Sequence, residues 1–357
     1  MGDLLHLETP FRQRSRAARQ AALVDRVANT RRGGEDVFWL KENAELLNVL
    51  ESTGAAPGAA ALGSYDAFYG TIERRIGFFP QYYRFFLSIC LDLEDLGLDG
   101  AKGAALAEWV AEQNLTGAEL SDLQRAEARR LCRRRGMECI RHDAGLDDRL
   151  RAFARRSETF ALPNKKAAYE LTHIVFYLSE YGRRDPGLDE EMIDSLRYTG
   201  TLAFLELNID LLSEVCIALR YAGRTPPPVW ERWLSDQVRL FHVVTADRPG
   251  GIDDYHPWLM VNWFMDLSGR GGFANEMPQG AVAFAAPSPG SGPLRELSDC
   301  IYRMEDARSP DWGVMRQRVG DRLSDEALTV IEAAETAVDF GAFFRGFART
   351  AVPGVVT

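Results

Sequence analysis

Along almost the whole chain, apolar residues recur at intervals of three and four, and β-branched runs of strict alternation are nearly absent. That spacing is the period of amphipathic helices rather than of half-buried strands. It predicts an all-α protein, with helices near 13–29, 35–52, 64–77, 80–96, 101–113, 117–135, 146–157, 165–181, 189–207, 209–222, 228–246, 256–267, 295–306 and 324–349. More than about half of the residues should then be helical, against roughly one third in an average globular protein.

Punctuation between these stretches has its own chemistry. Thr116 and Glu119 have capping-box spacing, Asn164 stands where an N-cap is needed, and Gly97, Gly136, Gly182 and Gly223 supply left-handed stops. Pro226, Pro227 and Pro228 open the next helix, where a missing N–H costs nothing. Helices of this length joined by short links predict successive helical hairpins in one domain spanning 1–357, with helices 13–96 packing on a hairpin array over 101–350. One irregular segment, 268–294, contains six glycines and four prolines. A loop that long inside a compact domain is usually functional or disordered, and here it is expected to cover a cavity as a lid.

Composition narrows the partners. Forty-two basic against 52 acidic residues give a net charge of −10, which opposes attraction to phosphate backbones, so nucleic acid is not an expected partner. No apolar stretch approaches the roughly 20 residues that a membrane span requires, and the first residues lack a signal-peptide core. A cytoplasmic protein is expected. The five cysteines are scattered without CxxC spacing, which predicts buried reduced thiols rather than disulfides or a cysteine-held zinc.

Against this background a few polar constellations stand out. In NKKAAYELTHIVFYLSEYG, the residues Glu170, His173, Tyr177 and Glu180 share one helical face. Glu170 and His173 have the Glu-x-x-His spacing with which helical bundles bring two side chains to one metal ion. Asp253 and His256 repeat the acid-x-x-His spacing ahead of Pro257, and Asp210 and Glu214 place two carboxylates one turn apart. Carboxylates and imidazoles together suit iron, manganese or zinc. The same residues also fit a purely structural reading: a satisfied core histidine, helix-capping aspartates and a solvated Glu214.

Two charged runs are expected to be structural. Asp92, Glu94 and Asp95 sit at the unfavourable end of a helix dipole, where an arginine pair commonly answers such acids. The run RRLCRRRG reads as a solvated last turn, and Trp230, Trp233, Trp258 and Trp263 read as core. GxGxxG after a strand, P-loop, GxSxG and HExxH motifs are all missing from the sequence.

The three segments ELTHIVFYLSEYG, NIDLLSEVCIALRYAG and DYHPWLMVNW, in this order over about 165–267, resemble bacterial helical-hairpin proteins of uncharacterised function. Their architecture is similar to the α/α toroid of terpene cyclases and lanthionine synthetases. The resemblance implies a ring of hairpins around a cavity into which His173, Asp210 and His256 point. This sequence has neither a DxDD-type acid motif nor a Cys, Cys, His zinc triad, so neither of those activities carries over.

Together these readings predict a small-molecule enzyme or ligand-binding toroid. His173, His256, Tyr177 and Asp210 are its candidate catalytic residues. His173, His256, Glu170 and Glu214 are its candidate ligands for a divalent metal, the expected cofactor. The competing expectation is a non-catalytic scaffold whose hairpins present a groove to a protein partner.

Overall fold

The computed structural model describes residues 15–140, 142–248, 250–287 and 289–350. Of these, 65% lie in helix and 2% in strand, so the all-α expectation holds. The start of the first helix expected at residue 13 lies outside the described residues. The chain forms α1 (Arg16–Asn29), α2 (Val37–Ser52), α3 (Ala59–Leu62), α4 (Asp66–Phe78), α5 (Tyr83–Asp95) and α6 (Lys102–Glu112). It continues through α7 (Asp122–Arg133), α8 (Leu146–Ala154), α9 (Ser157–Phe160), α10 (Lys165–Leu178), α11 (Glu190–Leu205) and α12 (Ile209–Tyr221). Then come α13 (Pro228–Gln237), β1 (His242–Thr245), α14 (Tyr255–Leu267), β2 (Val282–Ala285), α15 (Pro293–Tyr302), α16 (Trp312–Gly320), α17 (Asp325–Glu335) and α18 (Phe340–Phe347).

Six helices organise the core. α2, α5, α7, α10, α12 and α14 pack each against the next in that order. α5 and α7 run the same way, with Arg84 bonding Glu119 near their starts and Arg134 bonding Asp92 at their ends, and so do α10, α12 and α14. Tyr169 bonds Asp210 near the starts of α10 and α12, whereas Phe176 and Tyr221 meet near their ends. Asp210 bonds His256 at the starts of α12 and α14, and Tyr221 meets Trp263 further along both. From α14 the contacts return to α2: the Tyr255 hydroxyl donates to the Glu42 carbonyl at 3.2 Å. α1, α4, α6, α8 and α11 each pack on the core helix that follows them. Trp230, Trp258 and Trp263 are buried as expected, and all five cysteines are buried and unpaired.

Caps set most of the boundaries. Asn164 and Asn208 accept the Ala167 and Leu211 amides, fixing where α10 and α12 begin. Gly97, Gly136, Gly182 and Gly223 all have positive φ as expected, and Pro228 takes the first position of α13. Thr116 and Glu119, by contrast, form no capping box. Thr116 donates to the Cys139 carbonyl, and Ser121 caps α7 by accepting the Gln124 amide.

Three further boundaries depart from the pattern. The helix expected over 228–246 ends at Gln237, and β1 follows because Val243, Val244 and Thr245 pair antiparallel with β2, His242 opposite Ala285. The helix expected over 324–349 is broken, with Asp339 capping a new start at α18. α16 was not expected, and it begins where Asp311 accepts the Gly313 amide.

The segment 268–294 is likewise not a free loop. Beyond supplying β2, it buries Phe273 and Met277, and Arg19 and Arg26 of α1 bond its carbonyls at Phe273 and Pro278. No described helix is long and apolar enough to cross a membrane.

Candidate functional site

The Asn208 cap places Asp210 in the first turn of α12, where the helix dipole favours a carboxylate, and Glu214 one turn later on the same face. α10 lies alongside and supplies hydroxyls to both. Tyr169 donates to Asp210 Oδ2 at 2.6 Å, and Thr172 donates to Glu214 Oε2 at 2.5 Å. Each carboxylate is therefore oriented by a neutral group that leaves its charge uncompensated.

Histidines approach from both sides. His256, in the first turn of α14, places Nδ1 2.9 Å from Asp210 Oδ1 and Nε2 3.7 Å from Glu45 Oε1 of α2. His173 of α10 places Nδ1 3.7 Å from Glu214 Oε2 and 2.8 Å from the Tyr169 carbonyl. Only a protonated Nδ1 can bond that carbonyl, so His173 keeps Nε2 as its open nitrogen. One ligand atom from each of Asp210, Glu214 and His256 lies within 4.8 Å of the other two. A groove of about 470 Å³ is lined by His256 together with Glu45, Lys41, Phe38 and Arg32.

Burial and charge pull the site's protons in different directions. Burial pushes the Glu214 carboxyl up to about 7, helped by Asp210 and opposed by His173 and by the Thr172 bond. Burial alone would lower His256, but its bond to Asp210 and the charges of Glu45, Asp210 and Glu214 outweigh that and raise it to about 9. For Asp210 the same His256 bond and charge, with Tyr169 and Lys41, overcome burial and hold the carboxyl below its ordinary range. At neutral pH Asp210 is therefore an anion, His256 a cation and Glu214 poised between its two forms.

The expected residues divide. Asp210, Glu214 and His256 converge, with His173 adjoining them through Glu214. Glu170, half-buried, is not in that group. Tyr177 is buried with its ring edge-on to His173 at 5.9 Å. Asp253 turns away, gripped by Arg31 at 2.7 Å on each oxygen and accepting the Phe284 amide, so the second acid-x-x-His match holds α14 in place instead of joining the cluster. Tyr169 and Thr172 were missed. Their signal was a phenol and a hydroxyl four and one residues before His173 in an otherwise apolar helix.

The basic run is solvated only at Arg133, which is exposed. Arg130 is buried with its guanidinium 4.2 Å from the Tyr181 ring centre. Arg134 bonds Asp92 and Asp95 at 2.6 Å, and Arg135 bonds Glu94 at 3.0 Å and Asp95 at 2.8 Å. The acidic helix end and the basic run thus answer each other.

Residues 1–350 match a family described as a domain of unknown function, DUF6902. The chain belongs to the DUF6902 family. No curated protein and no solved structure matches it. In this DUF6902 chain the argument about function therefore rests on the side chains gathered at Asp210, Glu214 and His256.

Proposed function

We propose that this DUF6902 protein is a small-molecule enzyme or ligand-binding protein built as an α/α toroid. In this reading Asp210, Glu214 and His256, adjoined by His173, hold a divalent metal at one mouth of the toroid. The ring reading is supported by the order in which α2, α5, α7, α10, α12 and α14 pack, the common direction of α5 with α7 and of α10 with α12 and α14, and the return from α14 to α2. It places the protein in the cytoplasm, where five buried unpaired thiols persist reduced.

The observation that carries the site is the convergence of one imidazole and two carboxylates within 4.8 Å of one another. A structural ion pair needs only one acid per cation, and here Glu214 is buried beside histidines and, among the described residues, has no arginine or lysine bonded to it. Such a donor set suits zinc, manganese or iron, and Tyr169 and Thr172 hold the carboxylates from behind as outer hydrogen bonds do in metal sites. A bound ion would polarise a substrate oxygen or acidify a bound water. His173, with Nε2 open and about one third of its side chain exposed, is the residue placed to accept or return a proton there. The groove beside His256 gives a substrate its way in, and the amides of Phe284 in β2 and of Ala286 just after it, holding the Asp253 and Asp254 side chains, fix the start of α14.

The test is metal analysis by mass spectrometry on the purified full chain after incubation with zinc, manganese or iron(II) and desalting. Near one equivalent of one metal is expected, falling to background in His256→Ala and Glu214→Ala. A metal-free wild type that also fails to take up any of the three in titration overturns the proposal.

A further inference from the structure

A second cavity lies away from the histidines, and the cluster plays no part in it. Its outer part, about 650 Å³, is lined by residues including Leu162, Gly292, Leu294, Arg295, Ser298 and Arg349. Its inner part is a chamber of about 40 Å³ walled mostly by apolar residues, among them Phe160, Ala168, Leu202, Ala203 and Leu211, with Asn164, Lys165 and Thr199 also in its lining. The two share Leu162, Pro163, Glu206 and Leu294, so the floor of the outer space is the entrance to the inner one. A chamber of that size takes only a few heavy atoms, the end of a short apolar chain rather than a whole ring system.

The rim has the opposite sign to the protein as a whole, which carries a net charge of −10. Among the described residues, no carboxylate lies within ion-pair distance of Arg349. The charged group beside it is Arg308, which donates to the Arg349 carbonyl at 3.1 Å and, with burial, lowers the Arg349 pKa. Arg295 is 91% exposed and reaches Asp299 only at 4.0 Å. The one acid of the lining, Glu206, is answered by Lys165 at 3.0 Å and by the Asn208 amide at 3.3 Å. An apolar floor beneath cations without close acidic partners is complementary to a molecule that is apolar at one end and anionic at the other.

We propose that this cleft binds an amphiphilic organic anion, a carboxylate whose short apolar end enters the chamber walled by Phe160, Ala168 and Ala203 while its headgroup meets Arg349 and Arg295. None of Asp210, Glu214, His256 and His173 lines the cleft, so the site stands or falls independently of the metal reading.

Calorimetric titration of the full chain with octanoate tests it. One saturable site is expected, weakened about tenfold by removing two methylenes in hexanoate and about tenfold by Arg349→Gln at the exposed rim. Ala168→Leu, which fills the chamber, should abolish binding. Octyltrimethylammonium, with the same tail and a cationic head, should not bind. Equal binding of the two amphiphiles, octanoate binding unchanged in both variants, or no saturable heat with octanoate overturns the proposal. Arg349→Gln changes an exposed side chain and keeps the test valid if Ala168→Leu disturbs the core.

Discussion

Two clusters of acids, one on α5 around the buried Asp92 and one on α12 around the buried Glu214, are satisfied by different chemistry. On α5, Asp92, Glu94 and Asp95 are met by Arg134 and Arg135, whose charge is fixed at any accessible pH. Against burial, bonds from the Tyr69 hydroxyl and the Gly103 amide, with Arg135, hold Glu94 below its ordinary range, the two arginines hold Asp95 there, and only the wholly buried Asp92 is pushed up by burial against the pull of Arg134 and Arg130. On α12, Asp210 and Glu214 are met by hydroxyls and imidazoles, and Glu214 is left near 7. Fixed cations make an inert joint. Titratable partners make a place where charge can change, which is what metal or proton chemistry requires.

The largest effect should come from breaking the inert joint. Asp92→Ala strips a buried partner from Arg134 and should destabilise the protein by about 3–5 kcal/mol in urea unfolding. Metal content of the folded fraction should not change. A loss of metal in this variant would show that the two clusters are not functionally separate.

A smaller effect sharpens the contrast through pH. Glu214 is raised, so the stability it contributes is complete below the ordinary carboxylate range near 4.5 and is lost as pH rises through about 7. His256, also raised, contributes stability below its ordinary value near 6.5 that is lost as pH rises through about 9. Metal-free wild type should therefore lose stability from pH 5 to pH 8. Glu214→Gln should lose less over that interval, by on the order of 1 kcal/mol or more in thermal melts. Parallel profiles for the two proteins would contradict a titrating Glu214. The smallest changes concern the braces: Tyr169→Phe and Thr172→Val should each weaken metal binding about tenfold to a hundredfold, whereas Glu170→Ala should leave it unchanged. A full effect at Glu170 would move the site along α10.

The helical period made α10, α12 and α14 legible, and the polar residues interrupting it pointed to His173, Asp210, Glu214 and His256. What the spacing misassigned was partnership. Acid-x-x-His spacing detects neighbours on one helix, so it paired His173 with Glu170 and His256 with Asp253. In the folded chain each histidine finds its acid on α12, because helices packed in parallel bring residues of equal height together whatever their distance in sequence. β1 was hidden for a related reason: a four-residue strand has too few residues to show a period, and only its partner 40 residues later makes it a strand. The basic run looked solvated because nothing within its own helix revealed the acids of α5.

The grip of Arg31 on Asp253 joins residues 222 positions apart. Closing so long a loop is slow compared with forming local hairpins, and it requires the chain to have been made as far as Asp253. During synthesis, Asp210 and Glu214 leave the ribosome well before His256, and β2 follows later still. Newly made chains therefore pass through an interval in which the α10 partners of Asp210 and Glu214 have been made but His256 has not. The clasp between Arg31, just after α1, and Asp253, just before α14, closes that interval.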